Sequence, residues 1–256
     1  MGAYRTIELE KKGAVATLAF NRPDRMNGII NEMMRELYEA LRSIEVDPAI
    51  RVMILTGRGR GFCPGADITH YADGKPDEEL LLEYFDVTRL FHELPCVTIA
   101  AINGACAGAG LGWASACDLR YAADDAKFNS AFLGVGISGD MALPWFLTRI
   151  VGATRARDLC FFPRKFTTAE AKAWGYVLDS FPLDRLMPEV ESRAEVLAAS
   201  APPALKGMKQ NFLSAEVMNL KDYIAIESAR HRMTGASPES KAAFQNFPYR
   251  SQKDAK

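Results

Sequence analysis

The first part of the chain alternates between two hydrophobic periodicities. Residues 4–9 and 14–20 alternate between apolar and polar positions or run apolar, and a Lys11-Lys12-Gly13 turn separates them, which predicts a β-hairpin. Residues 30–44 instead carry apolar side chains at steps of three and four, at Met33, Leu37, Leu41 and Ile44. Because this spacing aligns one apolar face on a helix, we predict that a helix follows the hairpin.

Short apolar runs then alternate with glycine-rich loops. Residues 52–55 form a buried-strand pattern before a glycine loop at 57–65, and residues 97–102 repeat the strand before a second glycine loop at 104–112. Between them, residues 78–94 are predicted to be helical. Strands that alternate with helices are typical of an α/β fold in which loops at the carboxyl ends of the strands bind ligands. We therefore expect a layered or spiral α/β core.

The last third of the chain has a different character. After a short strand pattern at residues 176–178, the segments 185–199, 202–215 and 220–231 have the pattern of amphipathic helices separated by proline or polar breaks. These helices have little sheet to pack against, so their apolar faces must be covered by the core or by another subunit. We predict a helical appendage at this end of the chain.

Composition and charge exclude several classes of protein. Apolar residues make up 48% of the 256 residues and charged residues 25%, which is typical of a folded globular chain rather than a disordered one. With 31 Lys and Arg against 32 Asp and Glu, the net charge of -1 does not favour nucleic acid as a partner. No apolar run reaches the ~20 residues of a membrane span, and charges interrupt the N-terminal segment, so we expect neither a membrane partner nor a secretory peptide.

The cysteines indicate the redox state of the compartment in which the protein is found. The five thiols are scattered along the chain and form no C-x-x-C pair. This pattern argues against a zinc or redox site, and it fits a reducing compartment. We expect a cytoplasmic protein without a metal site.

The two glycine loops are the first candidates for chemistry. Neither contains the G-x-x-x-x-G-K-[ST] phosphate cradle, and the alternation of Gly108, Gly110 and Gly112 lacks the context of a dinucleotide-binding fold. Small residues at the end of a strand do allow backbone amides to approach a ligand closely and to converge on one oxygen. Either loop could instead serve only tight turns and packing. Together the two loops are compatible with an oxyanion hole.

Five stretches of sequence together carry a family resemblance. They are Asn21-Arg22-Pro23-Asp24-Arg25-Met26-Asn27, Ile54-Leu55-Thr56-Gly57 running into Phe62-Cys63-Pro64-Gly65-Ala66-Asp67, Ile99-Ala100-Ala101-Ile102-Asn103-Gly104 through Gly108-Ala109-Gly110, Cys117-Asp118, and Arg149-Ile150-Val151-Gly152. In these stretches, and over nearly its whole length, the chain resembles the crotonase superfamily, the enoyl-CoA hydratase/isomerase family.

The resemblance implies an architecture and a substrate class. It implies an α/β fold made of a spiral of ββα units, with a C-terminal helical trimerisation region, and trimers of this family often pair into hexamers. On this basis we expect a core with the acyl-CoA site at residues 1–195 and an oligomerisation region at residues 196–256. Coenzyme A is then part of the thioester substrate, no separate cofactor is expected, and the partner is an acyl-CoA together with further copies of the chain.

The resemblance also implies the two amides of the oxyanion hole. Ala66 of the Gly65-Ala66-Asp67 stretch matches the first amide donor to the thioester carbonyl. Ala109 matches the second donor, at the middle position of the family's triple glycine. An alanine at this position keeps the amide and the contribution of the helix N-terminus, but it adds a Cβ beside the carbonyl site.

Segments that contact the nucleotide end of coenzyme A carry over in the same way. Arg25 and Met26 match one such segment, and the backbone of Ala66, Asp67 and Ile68 matches another. Arg25 could bind a phosphate, or it could be an ordinary solvated arginine.

Two acids that the family's hydratases use are absent. The first glutamate position falls on Gly112 and the second on Phe132, and both residues are expected to line the substrate site. Hydratases need these carboxylates to hold and deprotonate a water molecule. A glycine and a phenylalanine transfer no protons, so we do not expect hydration by the family's usual mechanism.

Asp140 is the chief candidate for a catalytic acid. Its position resembles that of the catalytic aspartate in the family's dienoyl-CoA isomerases and 4-chlorobenzoyl-CoA dehalogenases, and its apolar neighbours should desolvate it. Asp140 could instead, or in addition, cap a helix that begins near Ala142. The dehalogenases also use a histidine whose position falls near Phe85 here, and neither His70 nor His92 aligns with it.

A single carboxylate suits the relay of a single proton. We therefore expect an acyl-CoA-processing enzyme that holds a thioester enolate between two amides while Asp140 moves a proton, shifting a double bond. The alternatives are a hydratase, or a hydrolase or dehalogenase, with an unconventional means of activating water. A non-catalytic protein that binds coenzyme A is a third alternative.

Overall fold

The computed structural model describes residues 4–74 and 77–245 of the chain. The strands in these residues are β1 (Ile7–Lys12), β2 (Val15–Phe20), β3 (Val52–Gly57), β4 (Gly61–Cys63), β5 (Val97–Ile102), β6 (Ala105–Ala107), β7 (Leu119–Ala123), β8 (Lys127–Asn129), β9 (Phe166–Thr167) and β10 (Asp179–Phe181). The α-helices are α1 (Asn31–Glu45), α2 (Ile68–Ala72), α3 (Val87–Glu93), α4 (Ala109–Ala116), α5 (Leu143–Ile150), α6 (Ala153–Phe161), α7 (Thr168–Ala173), α8 (Leu183–Ala198), α9 (Pro202–Ala215), α10 (Leu220–Gly235) and α11 (Pro238–Gln245).

The larger of two sheets has six strands in the order β1-β2-β3-β5-β7-β10. Strands β1 and β2 are antiparallel, as the alternating pattern predicted, and Gly13 turns the chain between them at a φ of +59°. The remaining neighbours run parallel, and β3 and β5 pair through Val52 and Val97. Their side chains are buried nearly throughout because the central strands are covered on both faces.

The smaller sheet repeats the order of the larger one. Its strands lie in the order β4-β6-β8-β9, and β4, β6 and β8 each follow directly on a strand of the larger sheet. Strand pairs followed by helices therefore recur along the chain, as in β3-β4-α2 and β5-β6-α4. This arrangement is the spiral of ββα units expected from the sequence, and it brings the ends of β4 and β6 side by side.

Helix α1 confirms the prediction made from its apolar spacing. It spans Asn31–Glu45, and Met33, Leu37, Leu41 and Ile44 are all buried. At the centre of the core, the Trp113 indole stacks on Phe20 with ring centroids 5.6 Å apart. The core therefore joins the first hairpin to α4, the helix that follows the second glycine loop.

The helix predicted for residues 78–94 forms only over residues 82–93. The structure has a short 3-10 helix at Leu82–Asp86 and the α-helix only at Val87–Glu93. Residues before Leu82 are held in another way, because the Asp77 carboxylate accepts hydrogen bonds from the first amides of α1, at 2.9 Å from Asn31 and 3.3 Å from Glu32. The prediction was wrong for 78–81 because this tertiary contact outweighs local helical preference.

The strand expected at residues 176–178 lies three residues further on, in β10. Tyr176 is buried instead, and its hydroxyl lies 3.0 Å from that of Ser115. An apolar pattern of this length does not distinguish a strand from a buried turn that precedes one.

The helices of the last third match the predicted segments, and α11 adds one that was not predicted. Leu186, Val190 and Ala194 of α8 are buried, and α8 packs on the larger sheet. By contrast, no residue of α10 is buried in the single chain. None of the helices in residues 4–74 and 77–245 is both long enough and apolar enough to cross a bilayer.

Candidate active site

The segment containing Ala66 forms a short bridge to Ile29. The Ile29 amide donates to the Gly65 carbonyl, and the Asp67 amide donates to the Ile29 carbonyl, both at 2.9 Å. Ala66 lies between these two bonds and is exposed. Within the described residues, its own amide donates to no backbone carbonyl. The amide is therefore fixed on both sides and free to bind a ligand.

Ala109 begins α4, directly after β6 and Gly108. The amides of the first helical turn have no partner inside the helix, and the helix dipole adds partial positive charge there. Gly108 has a φ of +51°, a conformation that favours glycine, and this turn redirects the chain from β6 into the helix. The Ala109 amide is thus an available donor.

The two glycine loops lie against each other. A methyl group added at Gly65 would lie 3.7 Å from the Ala109 nitrogen and 3.7 Å from Cα of Gly108. On the other side of the contact, a methyl group at Gly110 would overlap the Cys63 carbonyl oxygen at 2.2 Å. Only small residues permit this approach, and it brings the segments of the two predicted amide donors together.

The thiols beneath the loops are not reactive groups. Cys63 and Cys106 pair across β4 and β6 and are fully buried. Burial raises the pKa of the Cys63 thiol to about 12, and it raises the pKa of Cys106 as well. Both are neutral near pH 7 and act as small apolar residues.

Asp140 lies in the loop between β8 and α5, next to α4. Gly139 before it packs on Phe132, and Phe132 in turn packs on Gly108, where an added methyl group would lie 3.7 Å from the ring. Met141 after it packs on Gly112 of α4. Asp140 is therefore held next to the start of α4, through Met141 directly and through Gly139 by way of Phe132.

Burial of its carboxyl group raises the pKa of Asp140 above the ordinary value, and a hydrogen bond from its own backbone opposes this in part. The residue as a whole is exposed, so water still reaches the side chain and the upward shift is limited. Among the described residues, no side chain forms an ion pair or hydrogen bond with this carboxylate. It is thus free to exchange a proton.

The structure gives no capping role to the Asp140 side chain. Helix α5 begins at Leu143 after Ala142, with no side-chain hydrogen bond at its N-terminus. Instead, Met141 and Ala142 both adopt positive φ values, +50° and +52°, as does Ala131 at +64° on the other side of the loop. Such strain in residues other than glycine is concentrated at functional sites in proteins.

Gly112 and Phe132, at the two positions where the hydratases have glutamate, both pack against other residues. A methyl group at Gly112 would lie 2.7 Å from Cβ of Met141, so Gly112 faces protein rather than an open space. Met141 is buried, and its sulfur accepts a hydrogen bond at 3.1 Å from the hydroxyl of Thr88 on α3. Sequence reasoning did not identify Thr88 or Met141, because only the fold brings α3 against this loop.

The residues expected near coenzyme A lie beside Ala66. Arg25 ends a 3-10 helix, is exposed and forms no ion pair with a described acid. Met26 has a φ of +53°, and its methyl group contacts Gly61. Ile68 begins α2 and is 63% exposed, which is unusual for an isoleucine. Asp67 is buried and is paired with Arg22, a residue that the sequence did not single out.

The histidines and the other acids are engaged elsewhere. His92 pairs with Glu216 at 2.8 Å, and His70 lies 3.4 Å from Asp77. Asp118 pairs with Lys209 at 2.6 Å. In residues 4–74 and 77–245, no cluster of three or more His, Cys, Asp or Glu side chains could hold a metal ion.

Comparisons with known proteins identify the family of this chain. The family model for enoyl-CoA hydratase/isomerase matches residues 10–254. A 1,2-epoxyphenylacetyl-CoA isomerase of Escherichia coli (strain K12) is 33% identical over 91% of each chain. A 4-chlorobenzoyl coenzyme A dehalogenase of an Arthrobacter species is 34% identical over 80% of this chain and 76% of its own.

A solved structure extends the likeness to the fold. An enoyl-CoA hydratase subunit I from Geobacillus kaustophilus HTA426 superposes with a TM-score of 0.87 at 28% identity, over 96% of each chain. Fold, sequence and family model agree over nearly the whole chain. The protein therefore belongs to the enoyl-CoA hydratase/isomerase family of the crotonase superfamily and is an enzyme that acts on acyl-CoA thioesters.

Proposed function

We propose that the protein shifts the double bond of an enoyl-CoA, with Asp140 as the group that moves the proton. The observation that carries this proposal is the contact between the loops of Ala66 and Ala109, each with an unused amide, beside a loop that holds one free carboxylate. The Escherichia coli relative is a 1,2-epoxyphenylacetyl-CoA isomerase, so it supports isomerisation of an acyl-CoA in general.

The chemistry needs only the groups at this site. The Asp140 carboxylate takes a proton from the carbon that loses hydrogen, and the electron pair of that C–H bond moves through the conjugated system onto the thioester oxygen. The amides of Ala66 and Ala109 stabilise the resulting enolate because their dipoles are fixed before the charge develops. Asp140 then returns the proton to the other end of the conjugated system, so the double bond moves and no water is consumed.

Hydration is the less favoured reaction at this site. A hydratase must position water with a carboxylate, and the two family positions hold Gly112, which packs on Met141, and Phe132, which packs on Gly108. Dehalogenation or hydrolysis also needs water to be activated, and neither histidine lies at the dehalogenase position near Phe85: His70 lies near Asp77, and His92 is bonded to Glu216 and packs on Trp145 and Phe146. Because one relative is a 4-chlorobenzoyl coenzyme A dehalogenase, the experiment below also tests for dehalogenation and hydrolysis.

We propose that the nucleotide of coenzyme A lies along Arg25, Met26 and the backbone of Ala66, Asp67 and Ile68. The exposed guanidinium of Arg25 is the candidate partner of a phosphate, since no described acid pairs with it. Ile68 offers an exposed apolar surface next to Ala66. Asp67 would contribute only its backbone, because both carboxylate oxygens are already bonded.

The test is a comparison of Asp140→Asn with wild type on a panel of enoyl-CoA isomers. We expect the variant to lose at least about 100-fold in kcat, the usual contribution of a general acid-base group. The control is Asp125→Asn, an exposed acid in the turn before β8. Wild-type turnover by the Asp140 variant would overturn the assignment. Reaction in labelled water distinguishes the alternatives, since a hydratase or hydrolase incorporates the labelled oxygen and an isomerase does not.

We further propose that residues 196–256 associate with other copies of the chain in a trimer or a hexamer. Helices α9 to α11 expose large apolar side chains that the single chain does not cover, including Phe212, Leu220, Met233 and Phe244. Light scattering on the purified protein gives the mass directly, and a monomer would contradict the proposal. A cytoplasmic location is proposed from the five free cysteines and is tested by cell fractionation.

A further inference from the structure

Arg22 donates hydrogen bonds to both segments that fix the Ala66 amide, the one with Gly28 and the one with Asp67. A guanidinium nitrogen of Arg22, Nη2, donates to Oδ2 of Asp67 at 2.9 Å. Nη1 of the same group donates to the carbonyl of Gly28. Gly28 precedes Ile29, which holds both neighbours of Ala66. A single planar group thus spans both sides of the bridge.

Asp67 is fully used within this arrangement. Its Oδ2 accepts from Arg22, and its Oδ1 accepts from the His70 amide at 3.0 Å, which caps α2. The side chains of Arg22 and Asp67 are only 14% and 6% exposed. Burial acts to raise the pKa of Asp67, but these hydrogen bonds and the nearby arginines outweigh it, and the net pKa is lowered. The carboxylate is charged, and each of its oxygens is already hydrogen-bonded within the protein.

We propose that Arg22 and Asp67 are positioning residues that aim the Ala66 amide at the thioester oxygen. This inference rests on the proposed function, because it requires Ala66 to be an oxyanion donor. A buried ion pair loses solvation that its attraction only roughly repays, so a gain in stability is a weak explanation for it. A fixed donor, by contrast, must be held within about 0.5 Å of its productive position. This pair joins Asp67, the residue after that donor, to Gly28 on the facing segment.

The test uses Asp67→Asn and the conservative Arg22→Lys. Asparagine keeps the shape of the cap but loses the charge, and lysine cannot repeat the planar two-point bond to Asp67 and Gly28. We expect kcat to fall by about 10-fold to 100-fold, as when one oxyanion donor is impaired. The affinity for free coenzyme A, which has no acyl carbonyl, should fall by a smaller factor than kcat, even though the backbone of Ala66 to Ile68 belongs to the proposed nucleotide site. The control is Arg58→Lys, which alters an exposed ion pair with Glu8 on the neighbouring loop.

A second readout separates positioning from a general structural effect. Wild type should bind a saturated acyl-CoA more tightly than its thioether analogue, which lacks the carbonyl oxygen. The Arg22 and Asp67 variants should lose most of this preference, while Arg58→Lys keeps it. If one variant fails to fold, as judged by circular dichroism, the other carries the test.

The outcomes separate the two proposals. If wild type isomerises an enoyl-CoA but both folded variants keep wild-type kcat and carbonyl preference, the positioning role is overturned and the proposed function stands. If wild type neither turns over any enoyl-CoA nor prefers the thioester, the proposed function fails and this inference fails with it. A parallel loss of kcat, carbonyl preference and affinity for free coenzyme A would assign the pair to the folding of the loop and would also overturn the inference.

Discussion

Met141 occupies the space into which a side chain at position 112 would extend. A methyl group added at Gly112 would lie 2.7 Å from Cβ of Met141 and 2.9 Å from its carbonyl oxygen. The Thr88 hydroxyl holds the Met141 sulfur, so the contact is anchored from α3. The missing glutamate is therefore replaced by a packed residue rather than by an empty space.

Restoring that glutamate alone should not create a hydratase. We expect Gly112→Glu to lower the free energy of unfolding by about 1–3 kcal/mol, the usual cost of overpacking a core. The measurement is urea unfolding together with an assay for hydration of an α,β-enoyl-CoA. Adding Met141→Gly should recover part of the stability, because it removes the closest atom. A single Gly112→Glu variant as stable as wild type would contradict the packing seen here.

The pH dependence of turnover should report the raised pKa of Asp140. The carboxylate is the form that accepts a proton, so kcat/KM should rise with pH and level off above a pKa higher than the ordinary value of 3.8. Rates measured from about pH 4 to about pH 8 cover this range. An acidic limb centred below the ordinary value would exclude Asp140 as the base.

The same shift has an effect of defined sign on stability. Because the folded pKa is raised, the folded state binds a proton more readily than the unfolded chain, and this stabilisation is present at low pH and is lost as pH rises through the folded pKa. Asp140→Asn removes the desolvated charge, so it should be more stable than wild type near pH 7. The difference should disappear below the unfolded value. Thermal unfolding of wild type and variant, near pH 7 and at a pH below the unfolded pKa, measures this difference in stability.

The strained residues beside Asp140 predict a stabilising substitution. Ala142 has a φ of +52°, where glycine has no steric penalty. We expect Ala142→Gly to raise the free energy of unfolding by roughly 0.5–1 kcal/mol after the entropy of the unfolded glycine is counted. The control is Ala229→Gly in the exposed middle of α10, which should lose about 1 kcal/mol. Equal losses at both sites would argue against strain.

The contact between Lys209 and Asp118 should hold α9 on the core. The lysine is 2% exposed and lies 2.6 Å and 2.7 Å from the two carboxylate oxygens. Lys209→Met leaves the Asp118 charge without its partner, so we expect a loss of about 3 kcal/mol in urea unfolding. The exposed pair of Lys172 and Asp179 is the control, and Lys172→Met should cost less than about 1 kcal/mol. Similar losses for the two variants would show that burial does not matter here.

The spacing of apolar residues predicted a helix or strand correctly where those residues all face the same part of the core. The spacing of Met33, Leu37 and Leu41 located α1 because each of these residues faces the same core. It failed at 78–81, where Asp77 is bound by the start of α1.

At the candidate site, sequence motifs predicted the glycine loops and the position of Asp140, whereas the supporting contacts could not be predicted. Arg22 and Asp67 are separated by 45 positions, and Thr88 and Met141 by 53. Neither pair leaves a pattern in the intervening residues, since each forms only when separate turns of the spiral meet.

The proposed role of Asp140 as the single acid of the reaction has a stereochemical consequence. With one carboxylate on one side of the enolate, hydrogen leaves and returns on the same face of the planar intermediate. Deuterium at the donor carbon should then reappear in part at the acceptor carbon of the same molecule, with the remainder lost to solvent through the exposed edge of Asp140. The side from which the loop between β8 and α5 presents its carboxylate would thus be recorded in the configuration of the deuterium-labelled carbon.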